Sequence, residues 1–198
     1  FQYKPNLDFA GGDSFTYKAR DDGTPILESN AATVTITVQA VNDPPVAVND
    51  SGTTPEDTNK TIDVCTNDTD VDDANSVLRV ASITQPPASQ GTVSFSGRNI
   101  TFSPKLNFTG TASFTYKVKD DSNAVSQNSG TVAITVDPVF YDLVVIGGTP
   151  TGNFRRGTVM QIVATDPVDY AFFNWTGDTE NVDNTRSGTA TITMRSNA

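Results

Sequence analysis

Four acidic residues lie within one short stretch of the chain, at Asp68, Asp70, Asp72 and Asp73. Side-chain oxygens that alternate in this way can converge on one ion inside a turn, and Ca²⁺ prefers oxygen ligands. The alternative is that Asp residues simply favour turns. Because so many neighbouring carboxylates would repel one another without a counter-ion, the pattern favours a cation site.

This stretch cannot complete a calcium site alone, because Ca²⁺ takes about six to eight oxygen ligands. It also lacks the glycine and the later glutamate of an EF-hand loop. Further ligands are therefore expected from other polar residues of the chain. Asn42, Asp43, Asp120 and Asp121 complete the predicted ligand set, and the pairs Asp21-Asp22 and Glu56-Asp57 are further candidates.

The residues that enzymes use most often are scarce here. The chain contains no histidine, which excludes Ser-His and Cys-His nucleophiles and histidine-based metal catalysis. A pair of carboxylates can hydrolyse glycosides, but no pattern in the sequence places two of them in an apolar cleft. We therefore expect a protein that is not an enzyme.

The charge and the apolar runs exclude two kinds of partner. The formal net charge is −10, and nucleic-acid binding needs clustered Lys and Arg. The longest apolar run, residues 143–146, is far shorter than a membrane span. The lone Cys65 cannot form an internal disulfide, and we expect it to be buried. Because the sequence begins at Phe1 and not at Met, we expect it to be part of a longer polypeptide.

One phrase occurs twice and organises the chain. Residues 15–22 read Phe-Thr-Tyr-Lys-Ala-Arg-Asp-Asp, and residues 114–121 read Phe-Thr-Tyr-Lys-Val-Lys-Asp-Asp. The two copies start 99 residues apart, a spacing typical of whole domains that each have a core. Their alternation of apolar and polar residues predicts strands.

The second copy belongs to a complete unit, which we place at residues 42–138. Short alternating segments separated by turn residues predict about seven strands in a Greek-key sandwich of two sheets. The segments most typical of strands are residues 60–64, 77–83, 91–95, 99–103, 113–119 and 132–136.

The first copy, residues 1–41, corresponds only to the second half of that unit. Its apolar positions, such as Phe15 and Val34, would lack an opposing sheet, and so short a segment cannot bury enough surface to offset its chain entropy. A longer chain could supply the missing strands, or another copy could supply them by β-augmentation. We favour the longer chain.

Residues 139–198 share no phrase with the repeats and predict a separate β-rich domain. Strands are expected at residues 143–146, 159–164 and 189–194, with a turn at residues 147–152. The aromatic block at residues 170–175 contains Trp175, the only tryptophan, which we interpret as part of the core of this domain.

Several ordered motifs in the first two segments resemble the cadherin-like tandem repeats of large bacterial surface and secreted proteins. These motifs are Asn-Asp-Thr-Asp-Val-Asp-Asp at residues 67–73, Gly-Thr-Val at 91–93, Ile-Thr-Phe-Ser-Pro at 100–104, Phe-Thr-Tyr-Lys-Val at 114–118 and Val-Ala-Ile-Thr-Val at 132–136.

The resemblance implies an immunoglobulin-like sandwich, export from the cell and tandem arrays that calcium stiffens. It implies Asp68, Asp70 and Asp72 as ligands, with Asn42-Asp43 at the junction between repeats. The second junction, Asp137-Pro138, lacks the Asn-Asp pair, so we expect it to be free of ions.

Residues 139–198 are similar to the B-repeats first recognised in listerial internalins. The resemblance rests on Tyr-Asp-Leu-Val-Val at residues 141–145, Gly-Thr-Val-Met-Gln-Ile at 157–162 and Phe-Asn-Trp-Thr-Gly-Asp at 173–178. It implies a small β-grasp-like module that serves as a surface spacer. Members usually continue with one more strand, so we expect the last strand to be absent here.

The predicted fold is all-β: tandem immunoglobulin- or cadherin-like sandwiches followed by a small β-grasp-like module. The leading functional hypothesis is a non-catalytic structural or adhesive segment of a long extracellular bacterial protein. One alternative is a subunit of an extracellular filament with strand complementation between copies, and another is a carbohydrate-binding accessory region of a secreted enzyme. The expected partners are neighbouring repeats, other copies of the chain, or a cell-surface glycan or protein.

Overall fold

The computed structural model describes residues 1–165, 182–183 and 188–194. The structure is nearly all β, with 49% of the described residues in strands and 3% in helix, which confirms the predicted fold class. Threonine and valine fit the pleated surface of a sheet, whereas they are weak helix formers. No helix in the described part of the chain is long and apolar enough to cross a membrane.

Fourteen strands and two short 3₁₀ turns, Val64–Thr66 and Asn75–Val77, make up the regular structure of the described residues. In chain order the strands are β1 (Gly11–Tyr17), β2 (Ala32–Val38), β3 (Asp50–Pro55), β4 (Lys60–Asp63), β5 (Arg79–Ile83), β6 (Gly91–Ser96), β7 (Asn99–Pro104), β8 (Gly110–Lys119), β9 (Gly130–Asp137), β10 (Phe140–Leu143), β11 (Gly148–Thr149), β12 (Gly152–Arg155), β13 (Val159–Ala164) and β14 (Thr189–Thr193).

Strands β3 to β9 form the sandwich that the sequence predicts. One sheet has the order β3-β9-β8-β5 and the other has the order β4-β7-β6. The first strand, β3, runs parallel to the last strand, β9, and the other pairs are antiparallel. Seven strands in two packed sheets therefore agree with the number and arrangement expected for this unit.

The alternation of the repeated phrase explains the core. Phe114, Tyr116 and Val118 of β8 all point inward and are buried. The ring of Phe114 stacks on Phe102 of the opposite sheet, with ring centroids 6.3 Å apart. Cys65 is buried as predicted, and its burial raises the pKa of its thiol to about 12.

Strands β1 and β2 reproduce the pairing of β8 and β9. Phe15 lies opposite Val34 in the first hairpin, and Phe114 lies opposite Val132 in the second. The likeness extends into the preceding loops, where Asp8 and Asn107 both have a φ of 60°. The doubled phrase therefore marks a repeated backbone structure.

The two hairpins differ in what covers their apolar faces. Tyr116 is 1% exposed inside the sandwich, whereas the equivalent Tyr17 is 53% exposed. Within the described residues, β1 and β2 form a two-stranded sheet of their own. An isolated hairpin of this kind has little independent stability in water.

In the described part of the third segment, the strands form two small sheets. Strand β10 pairs with β12, while β13 lies between β11 and β14. The strand predicted at residues 143–146 is displaced to Phe140–Leu143, and Val144 and Ile146 are exposed. That prediction was wrong because pairing with β12 ends at Leu143 opposite Gly152, and the chain then turns into β11. Trp175 and the block at residues 170–175 lie outside the described residues.

Candidate metal centre

The acidic loop at residues 68–73 lies beside the segment that enters the sandwich. Val46 and Thr69 exchange two backbone hydrogen bonds, of 2.8 and 3.2 Å, and form an isolated bridge. The Asn75 side chain donates to the Thr66 and Asp68 carbonyls, which closes the loop on its other side. The loop is thereby held next to the junction at residues 42–45.

Three of the predicted ligands come together at this end of the sandwich. One carboxylate oxygen from each of Asp70, Asp73 and Asp120 lies within 4.8 Å of the other two. Asp120 comes directly after β8, so its carboxylate reaches the acidic loop from a different part of the sandwich. The proximity joins residues that are 50 positions apart in the sequence.

Only one of the two carboxylate oxygens of Asp70 accepts hydrogen bonds from the described residues. Its Oδ1 accepts hydrogen bonds from the backbone N–H groups of Asp72 and Asp73, at 2.9 and 3.1 Å. Its Oδ2 is buried and has no hydrogen-bond partner among the described residues. A buried carboxylate oxygen without a partner is costly, and a bound cation would remove that cost.

Asp120 is buried and connects the cluster to the junction. Its Oδ2 accepts a hydrogen bond from the Asn42 side-chain amide at 2.7 Å, and its Oδ1 accepts one from the Ala124 N–H. The Asp43 N–H donates to the Asp72 carboxylate at 2.6 Å. Asn42, Asp43 and Asp72 therefore lie in contact with the predicted site.

The electrostatics of the cluster are repulsive. Burial, followed by the charges of Asp121 and Asp70, raises the pKa of the Asp73 carboxyl, and Asp120 and Asp72 contribute in the same direction. Asp121 is exposed and accepts a hydrogen bond from the Ser122 hydroxyl, so it contributes charge at the edge of the group. A cation at this place would reverse the sign of the local field.

Asp68 is the predicted ligand that the structure places apart from this group. It is 1% exposed, and its Oδ1 accepts hydrogen bonds from the Val48 N–H at 2.7 Å and the Tyr116 hydroxyl at 2.9 Å. Although Asp68 and Asp70 are only two residues apart, the Asp70 carboxylate lies near Asp73 and Asp120, whereas the Asp68 carboxylate accepts its hydrogen bonds inside the sandwich. Its Oδ2 is buried and, like Asp70 Oδ2, has no hydrogen-bond partner among the described residues.

A buried polar cluster surrounds the Tyr116 hydroxyl. Besides Asp68, this oxygen lies 2.9 Å from Asp50 Oδ2, 2.7 Å from the Val48 carbonyl and 3.1 Å from the Val64 carbonyl. Since one hydroxyl carries a single hydrogen, the two carboxyls compete for it. Burial raises the pKa of Asp50 to about 6 and also raises the pKa of Asp68. The doubled phrase predicts that Tyr116 faces inward, but no sequence signal identifies Asp50 as its partner.

The other candidate acids lie elsewhere. Asp21 accepts hydrogen bonds from the Gly23 and Leu27 N–H groups within its own loop, and its neighbour Asp22 is exposed. Glu56 and Asp57 face the third segment, where they form ion pairs with Arg155 and Arg156. These four acids therefore do not contribute to the cluster of Asp70, Asp73 and Asp120.

The donor set at the junction fits a hard cation. The polar side chains that meet there are carboxylates and one amide, with no sulfur or imidazole ligand among the described residues. Oxygen-only sets of this kind suit Ca²⁺ or Mg²⁺ better than transition metals. Asp70, Asp73 and Asp120 would hold the ion, which would supply charge neutralisation across the junction.

Comparisons with known proteins find two family models that match parts of the chain. Residues 42–138 match the bacterial cadherin-like domain, and residues 144–198 match the divergent InlB B-repeat domain. No curated protein matches the sequence.

Several solved cadherin structures are similar to the chain. The Protocadherin GammaB4 extracellular domain is 22% identical, with 92% of this chain and 31% of that chain covered and a TM-score of 0.45. Human CDH23 EC21-23 is 15% identical, with 94% and 68% covered and a TM-score of 0.45. Mouse Cadherin-23 EC22-24 is 16% identical, with 91% and 63% covered and a TM-score of 0.41.

The chain spans about a third to a half of the first protocadherin chains that it matches. The sandwich topology of residues 42–138 agrees with the first of the two family matches. Residues 42–138, which include the sandwich, are therefore similar to the bacterial cadherin-like domain, and residues 144–198 are similar to the divergent InlB B-repeat domain.

Proposed function

We propose that the chain is a non-catalytic structural or adhesive segment of an extracellular bacterial protein, in which Ca²⁺ stiffens the junction before the complete sandwich. The single observation that carries the proposal is the meeting of Asp70, Asp73 and Asp120 at that junction. We divide the segment at residues 1–41, 42–138 and 139–198. Its first partners are the neighbouring repeats of the same polypeptide, and its external partner would be a cell-surface glycan or protein.

The position of the site explains how an ion would act mechanically. Asp70 and Asp73 belong to the loop after β4, Asp120 follows β8, and Asn42 and Asp43 belong to the linker from the first hairpin. A cation held by the first three would draw together two loops to which the linker is already hydrogen bonded. The angle between the hairpin and the sandwich would then be less free to vary.

Solution scattering from the whole chain tests this proposal. We expect the chain to be stiffer in calcium than in a chelator. The distribution of intramolecular distances should therefore be narrower in calcium. The Asp73→Asn variant, which removes one charge from the partly exposed side of the cluster, should behave in calcium as the wild type does in chelator. Identical scattering of the wild type in both solutions would contradict a calcium-stiffened junction.

A second candidate function is a filament in which copies complement one another. It is favoured by the apolar face of β1 and β2, which is only partly buried, since the equivalent face of β8 and β9 is fully covered within its own sandwich. Strands from another copy could cover that face by β-augmentation. Analytical ultracentrifugation over a wide concentration range would show association if this candidate is correct, and a monomer throughout would contradict it.

A further inference from the structure

The sandwich has acidic residues at both ends, and the two acidic groups differ in whether arginine side chains pair with them. Among the described residues, no ion pair from Lys or Arg reaches Asp70, Asp73 or Asp120. At the other end, Glu56 and Asp57 each have an arginine partner from the third segment. The difference indicates two kinds of junction in one chain.

We propose that Arg155 and Arg156 dock the third module onto the Glu56-Asp57 end of the sandwich, so that ion pairs fix this second junction without a cation. We call these four residues the arginine clamp. The proposal does not depend on calcium binding at the first junction.

Glu56 is the buried centre of the clamp. It is 2% exposed, and its Oε2 lies 3.1 Å from Arg155 Nη2. Its Oε1 accepts a hydrogen bond from the Val139 N–H at 3.0 Å, and its own N–H donates to the Asp137 carbonyl at 2.8 Å. A carboxylate buried to this degree is strongly unfavourable without a charged partner. Arg155 is the described residue that supplies that charge.

Both arginines make a second contact that fixes their position. Arg155 Nη2 also lies 3.1 Å from Thr109 Oγ1 of the sandwich. The Arg156 N–H donates to the Val139 carbonyl at 2.8 Å, which holds the turn after β12 against the linker. The clamp therefore joins sandwich, linker and third module at several points.

The Asp57 contact is an ion pair without hydrogen-bond geometry. Asp57 Oδ2 lies 3.0 Å from Arg156 Nη1, and Asp57 Oδ1 accepts a hydrogen bond from the Asn107 N–H at 2.7 Å. Its side chain is largely buried, while that of Arg156 is partly exposed. In both pairs the carboxylate is the more buried partner, so salt will screen them less than a pair that is fully exposed.

Spin-label distance measurements on the full chain test the clamp. Labels at Thr92→Cys on β6 and Val159→Cys on β13 report on the two modules from exposed positions, while Cys65 is buried. We expect a narrow distance distribution that is the same in calcium and in chelator. A distribution that broadens on addition of chelator would overturn the proposal.

Matched variants separate the clamp from general effects. Arg155→Gln with Arg156→Gln should lose the narrow distribution, whereas Arg155→Lys with Arg156→Lys should largely retain it. Arg98→Gln breaks the Arg98–Asp63 pair inside the sandwich and should leave the distribution unchanged. Glu56→Gln, which leaves the third module intact, should broaden the distribution as the arginine variant does. The proposal would be overturned if the distance distribution stayed narrow both in the Arg155→Gln, Arg156→Gln double variant and in Glu56→Gln. Broadening of the distribution in Arg98→Gln would also overturn it.

Discussion

The Tyr116 hydroxyl lies 2.9 Å from the carboxylate of Asp68, and both residues are almost completely buried in the sandwich. This contact joins β8 to the loop that supplies Asp70 and Asp73. The position of the candidate metal site therefore depends on a polar contact in the core. The repeated phrase provides the tyrosine, and the acidic loop provides its partner.

Replacing Tyr116 with Phe should destabilise the sandwich by about 1–3 kcal/mol, because it removes the one buried O–H donor that lies within hydrogen-bond distance of Asp68, Asp50 and two carbonyls. Chemical denaturation measures this change. Tyr17→Phe is the matched control, since Tyr17 occupies the same position of the phrase but is largely exposed. The control should cost less than about 0.5 kcal/mol. Equal losses in the two variants would show that the buried cluster does not stabilise the fold.

The Asp50 carboxyl should make stability depend on pH. Its pKa in the folded chain is about 6, above the ordinary value of 3.8. Burial is the main cause of this rise, and it outweighs the hydrogen bond from Tyr116, which lowers the pKa. A raised carboxyl pKa means that the folded state binds the proton of Asp50 more tightly than the unfolded state does. The contribution of Asp50 is therefore fully present below pH 3.8 and is lost as the pH rises through about 6.

Denaturation of the wild type and of Asp50→Asn at pH 4.5 to 7 tests this sign. In chelator, the wild type should gain stability relative to the variant as the pH falls through this range. A relative gain as the pH rises would contradict the assigned direction.

The backbone amides of β1 and β2 should exchange with solvent much faster than those of β8 and β9. The two hairpins have the same register, so local pairing does not distinguish them. The second hairpin is covered by an opposing sheet, whereas the first lies in a two-stranded sheet of its own. Hydrogen exchange measures the difference directly. Equal protection in both hairpins would show that the first one is covered in solution.

The sequence predicts the sandwich well because its evidence is periodic and repeated. Alternation gives the inward face of β8, and the first copy of the phrase, in β1, has the same alternation. The third segment is less predictable. Its first strand moves from residues 143–146 to Phe140–Leu143 because the position of the turn depends on pairing with β12, which the spacing of apolar residues does not encode.

The sequence predicts which acidic residues are candidates for the site but not how each carboxylate is hydrogen bonded. Spacing in the sequence identifies the acidic loop, and Asp120 was expected from its position in the repeated phrase. Asp68 has the same residue type and spacing as its neighbours, yet its carboxylate is bonded to Tyr116 in the core. The Glu56–Arg155 pair joins residues 99 positions apart, and no local pattern connects two such distant residues.

Calorimetric titration of Ca²⁺ into the chelator-treated chain tests the central claim most directly. We expect the wild type to bind and Asp70→Asn to bind roughly tenfold more weakly or not at all, because ligand charge tunes calcium affinity over several orders of magnitude. Asp21→Asn, which changes the equivalent of Asp120 in the first copy of the phrase, should bind as the wild type does. No binding by the wild type, or equal binding by the wild type and Asp70→Asn, would contradict the proposed site.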